Sequence, residues 1–170
     1  MPVAQARLLI AADVVQLIAS NSIKGDKGNV YSGALEAQIE KAWREDEETS
    51  AQALLKKMVV PEAACEVCAK GAVLTARVLR FNQCSVIEFE DNRESEDVKI
   101  PEFPQTMLAE METLFECCRF DWNEEILSER KMSRLSDYIQ DNNLKKMDSN
   151  SRLLHIMGLL IASGGKKIVL

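Results

Sequence analysis

Two thiols three positions apart, Cys65 and Cys68, and an adjacent pair, Cys117 and Cys118, carry most of the chemistry available to this chain. A C-x-x-C at the start of a helix suits three roles. Helix N-terminal amides lower a thiol pKa, which makes a redox pair possible. Two thiolates are also half of a tetrahedral zinc site, which Cys84, Cys117, Cys118 or His155 would have to complete at spacings that fit no known finger. The third role is packing, since cysteine is among the most buried residue types. Residues 65–72 read Cys-Glu-Val-Cys-Ala-Lys-Gly-Ala, and the small side chains at Ala69, Gly71, Ala72 and Ala76 let a helix approach its neighbours closely. A helix beginning at Cys65 places both sulfurs on one face, at i and i+3. Thioredoxin-like enzymes embed such a pair in a βαβ unit, and no strand is evident before Cys65. Packing is therefore the leading reading, with zinc and redox chemistry as its alternatives.

The remaining candidates are weaker. His155 is the only histidine and lies in the most apolar segment, where a hydrogen-bonded core histidine is the expected role. Of Cys117 and Cys118, one is expected to face the core and the other a neighbour or solvent. Gly25-Asp26-Lys27-Gly28 and Gly164-Gly165-Lys166-Lys167 lack the spacing and the hydroxyl residue of a phosphate-binding loop. The acidic runs Glu45–Glu48 and Glu94–Asp97 read as solvated surface. Phe120-Asp121-Trp122 falls between two helices, where an aromatic either caps the core or anchors a partner; Phe120 and Trp122 are the interaction candidates, and Trp43 reads as core. No catalytic or cofactor-binding residue is assigned. Cys65, Cys68 and His155 are the candidates for metal.

Helices must position these residues. Val3 to Ser20 repeats apolar side chains near a 3.6 period. Asn21 to Gly33 reads as a loop, followed by a helix from Ala34 into the charged run at Arg44. Thr49 or Ser50 can cap a third helix, closed by Pro61. The cysteine helix runs to Phe81, with Cys68, Ala72, Val73 and Ala76 inward and Arg77 and Arg80 on its polar side. Ser85 to Phe89 reads as a short strand or extended connection, and Glu90 to Asp97 as a mobile loop. Gln105 to Cys118, Asn123 to Asn142 and Ser151 to Ala162 are the later helices. The last is apolar all round, so it is either central or holds one side for a partner. Gly164-Gly165 stops it. The expected fold is mainly α: a compact single-domain bundle over 1–170, about six helices, with at most a small strand element near 84–89.

Composition excludes several classes. At 170 residues the chain can bury a sizeable core without disulfide or metal staples. With 21 basic against 27 acidic residues the net charge is -6, which disfavours nonspecific binding to nucleic acid or anionic membrane. No apolar run is long enough to span a bilayer. Arg7 and Asp13 interrupt the apolar N-terminus, so a secretory leader is not expected, and five cysteines then point to reduced thiols in a cytoplasm.

Three segments carry a resemblance. The Cys65–Ala72 segment resembles the C-x-V-C-A-x-G-A segment of a group of small bacterial and phage proteins without assigned function. The helix from Met107 to Phe115-Glu116 and the closing stretch Leu153 to Gly165 fall where that group has similar helices. Together they cover about a third of the chain. The resemblance implies a cytoplasmic protein of mobile-element or phage type and transfers no catalytic residue or ligand. The expected function is a non-enzymatic binding protein contacting a host or viral protein, as an inhibitor of a bacterial defence system for example, with self-association through the last helix as a further expectation. The alternative is a small-molecule-binding or thiol- or zinc-dependent protein centred on Cys65 and Cys68.

Overall fold

Apolar side chains at Ala6, Ile10, Ala11 and Val14 lie along one stripe of helix α1 (Val3–Ala19), and that stripe is buried. The computed structural model describes residues 1–28, 31–32, 34–45, 50–82, 84–85, 88–89, 98–118 and 121–168. Within them the fold is mainly α, with eight α-helices and a small sheet. After α1 come β1 (Ile23–Gly25), β2 (Tyr31–Ser32), α2 (Ala34–Arg44), α3 (Ala51–Met58) and β3 (Cys65–Val67). Next are α4 (Ala69–Phe81), α5 (Gln105–Glu116), α6 (Asp121–Ile126), α7 (Glu129–Asp141), a single 3-10 turn (Leu144–Lys146) and α8 (Ser149–Ala162).

The sheet is ordered β1-β3-β2, with β3 parallel to β1 and antiparallel to β2. Ile23 pairs with Cys65 and Gly25 with Val67, which turns Ile23, Cys65 and Val67 into the core and leaves Lys24 and Glu66 outside, ion-paired at 2.6 Å. The sheet therefore sits in the expected 21–33 loop and at the first cysteine, not near 84–89. At 84–89, Ser85 makes one isolated antiparallel bridge to Ser50 and Glu88–Phe89 is helical. Residues 86–87 and the 90–97 run lie outside the described residues.

Helix α4 is the centre. Every residue from Ala69 to Val78 is buried, so this helix packs on all sides, against α1, α3, α5, β1 and β3. Its alanines allow that approach, as expected. Two charges are buried with it. Lys70 pairs with Glu112 at 2.8 Å and Arg77 with Glu102 at 2.7 Å, so Arg77 is inward, not on a polar side. An ionised side chain tolerates such burial only when paired.

The expected 123–142 helix is two helices. Ser128 breaks it by capping α7, its hydroxyl accepting from the Lys131 amide. Helix α8 begins at the Asp148 cap, which accepts from the Ser151 amide at 2.8 Å. It ends in a Schellman turn, in which the Gly164 amide donates to Ile161 and the Gly165 amide to Leu160, both glycines having positive φ. The first turn of α1 lies on this stop, where Arg7 donates to the carbonyls of Glu102 and Gly165 and sits over the Phe103 ring. Unlike α4, α8 buries one side only, and Leu154 and Ile161 on the other are 38% and 42% exposed. Ile168 packs back into the core.

Candidate functional site

The cysteine pair is where the structure departs furthest from expectation. Cys65 is not helical; it lies in β3 and its thiol donates to the Met58 carbonyl at 3.2 Å. Cys68 is the N-cap of α4, its sulfur accepting from the Gly71 amide at 3.4 Å. The i, i+3 helical relation therefore does not hold, and a strand does precede α4. A thiol at a helix N-terminus is ordinarily acidified. Here burial outweighs the amide contacts and pushes the Cys68 thiol up to about 11. Burial raises Cys65 as well. Burial thus disfavours the charged thiolate at both positions. Among the described residues no three Cys, His, Asp or Glu side chains converge as metal ligands. His155 is half-buried and its Nε2 shares a hydrogen bond with the Tyr138 hydroxyl at 2.9 Å, the packed role expected of it.

A more suggestive arrangement lies at the C-terminal end of α5. That helix has no basic residue in its last turn to oppose its dipole. Two cations arrive from elsewhere. Arg152 of α8 donates to the Phe115 carbonyl at 2.6 Å and to the Met147 carbonyl at 3.1 Å, with its guanidinium over the Phe115 ring. Lys27 donates to the Glu116 carbonyl at 3.3 Å. The loop carrying Lys27 is held there because the Gly28 amide donates to Glu116 Oε1 and the Gly25 amide to Asn150 Oδ1. Partial burial raises the Glu116 pKa, and the Gly28 amide and Lys27 oppose that shift. So the Gly25–Gly28 loop is docked on the end of α5 and the start of α8.

Past this corner the chain turns at Cys117, in the left-handed region at φ 56°. Cys117 is buried and Cys118 exposed, the split expected of the pair. Between this turn, α7 and the 3-10 turn runs a groove in two joined parts. The inner part, about 280 Å³, is lined by Thr113, Cys117 and Cys118. The outer part, about 380 Å³, is lined by Gln140, Asn143 and Lys146. Ser136, Ile139 and Lys145 belong to both. Among the described residues no acidic side chain lines either part.

Two buried side-chain atoms among the described residues have no hydrogen-bond partner, Asn123 Oδ1 and Arg152 Nε. Both belong to residues that bond the inner wall of this groove. Asn123, fully buried, donates from Nδ2 to the Thr113 hydroxyl, and Arg152 donates from Nη1 to the Cys117 sulfur at 3.5 Å. Buried orphans of this kind are uncommon and concentrate where something besides packing constrains the residues. A further concavity of about 390 Å³ lies between α1 and α4, but its two charged lining residues, Asp13 and Arg80, satisfy one another through two bonds.

Of the interaction candidates, Phe120 lies outside the described residues. Trp122 is placed in α6 by its backbone alone, and its side chain is not among those described. They stand two and four positions after Cys118 in the sequence. The sequence reading missed the groove itself, because Ser136, Ile139, Gln140 and Asn143 acquire a meaning only when α7 is set beside the end of α5. The adjacent lysines Lys145-Lys146 were the one available signal.

No protein-family model matches the chain, and neither a curated protein nor a solved structure matches it.

Proposed function

We propose that the protein is a non-enzymatic binding protein that docks another protein in the groove between α5, α7 and the 3-10 turn. The observation that carries this reading is the coincidence of an open groove, edged by lysines and lined by no acid among the described residues, with two unpartnered buried atoms on the residues that bond its inner wall from behind. The rival centred on Cys65 and Cys68 finds its thiols buried, occupied by Met58 and Gly71, and raised in pKa. The partner is a host or viral protein. The resemblance of the Cys65–Ala72 segment to small bacterial and phage proteins directs the search to bacterial defence systems, with this chain as their inhibitor.

A neutral plug tests the reading. Ser136 is an exposed groove residue of α7 and Ser133 an exposed residue of the same helix that does not line the groove. Wild type, Ser136→Trp and Ser133→Trp serve as affinity baits in quantitative pull-downs from a bacterial lysate, each bait first matched to wild type by circular dichroism. The expected result is a specific protein retained by wild type and Ser133→Trp and lost with Ser136→Trp. Identical recovery by all three baits removes the groove from the function.

A further inference from the structure

Resting on that reading, we infer that the groove takes a short extended segment of the partner that carries acidic side chains. Length comes first. From Ser136 to Gln140 the α7 part of the outer wall rises about 6 Å, since an α-helix advances about 1.5 Å per residue. An extended chain covers that distance in about two residues. The site is therefore sized for a short linear segment and not for a broad protein face. Charge comes second. Lys145 and Lys146 are both exposed, their ammonium groups form no ion pair or hydrogen bond among the described residues, and they share the groove lining with neutral polar groups and the buried Ile139. On a chain of net charge -6 this is a local reversal of sign. Carboxylates gain from two adjacent ammonium groups held by a 3-10 turn, whereas a basic segment meets repulsion from them. An apolar side chain between the carboxylates would lie against Ile139.

The probe is the fluorescein-labelled pentapeptide Asp-Glu-Leu-Glu-Asp, titrated with the full chain and read by fluorescence anisotropy. Its neutral counterpart is Asn-Gln-Leu-Gln-Asn, and a short oligothymidylate is the competitor. The acidic peptide should bind at least tenfold more tightly than the neutral one, and more weakly as salt is raised. Lys145→Glu/Lys146→Glu should lose at least tenfold. Lys56→Glu/Lys57→Glu, an exposed pair on α3 with the same change in net charge, should bind like wild type. Lys145→Ala/Lys146→Ala gives the same answer without charge reversal if the first variant fails to fold. Equal binding of the two peptides overturns the inference. So does an equal loss in the α3 variant, or tighter binding of the oligothymidylate at the same lysines. If the peptide fails while Ser136→Trp still abolishes capture, the acidic specificity falls and the docking groove stands. If capture ignores Ser136→Trp, the groove itself falls.

Discussion

Replacing Gly165 by alanine should destabilise the protein through a contact made across the whole length of the chain, and Gly164 provides the control. Both glycines have positive φ, +68° at Gly164 and +74° at Gly165. Forcing an L side chain into that region costs about 1 kcal/mol at either position. Around Gly164 a new Cβ meets no atom within 4 Å, so Gly164→Ala costs only that amount. At Gly165 the Cβ would overlap the Ala4 carbonyl, which is backbone and cannot rotate away. The first turn of α1 must lift. That breaks the bond from Arg7 to the Gly165 carbonyl, worth about 1.5 kcal/mol for a charged donor, and uncovers part of Ala6. Gly165→Ala should therefore lose about 3 kcal/mol in all, against about 1 kcal/mol for Gly164→Ala. Urea unfolding followed by circular dichroism measures both. In a chain of this size the Tm should fall by about 6–12 °C and about 2–4 °C respectively. Losses within about 0.5 kcal/mol of each other, below the scale of one charged hydrogen bond, would show that α1 does not rest on the stop of α8.

Alkylation of the native protein with iodoacetamide should mark Cys118 first and leave Cys65, Cys68 and Cys117 untouched until unfolding, as tryptic mass mapping would show; fast labelling of Cys68 would restore the thiol rival. Glu116→Gln keeps an acceptor for the Gly28 amide while removing a carboxylate whose folded pKa is raised. A raised carboxyl contributes stability that is full below its unfolded pKa and drains away as pH rises through the folded one. The variant should accordingly gain over wild type at neutral pH and lose that advantage in acid; melts at both pH values decide, and a gap that widens toward acid contradicts the shift. Glu112→Leu strands the buried Lys70 ammonium and should cost about 3 kcal/mol. The double change Lys70→Met/Glu112→Leu should recover at least half of that in denaturant titrations, and additive losses would show that the pair is not coupled.

The helices were legible because their signals are local. A 3.6 period marked α1 and a glycine stop closed α8, so Gly164-Gly165 did in the structure what their chemistry dictates. The sheet was not legible. Three-residue strands carry too little alternation to show a period of two, and β3 forms only because β1 and β2 lie on either side of it. That single omission made Cys65 helical and gave it a false geometric partner in Cys68. Arg77 was read as surface because nothing near it in sequence announces Glu102, 25 positions on. The break at Ser128 had a local signal, a hydroxyl residue before a polar turn, hidden by apolar residues that kept a helical rhythm across it. The groove could not be read at all, since its walls come from three separate elements.

The pairing of α1 with α8 also bears on how the chain is made. These two helices form the most extensive helix contact of the fold and stand at opposite ends of the sequence. A ribosome that has released α1 must polymerise nearly everything else before α8 emerges, a delay on the order of ten seconds at typical elongation rates. Throughout that interval α1, with its buried stripe of Ile10 and Val14, lacks its packing against α8. The nascent chain thus carries an apolar helix that α4 can shelter in part long before α8 arrives, and a product stalled before α8 would keep the rest of that surface open to chaperones and to other copies of itself.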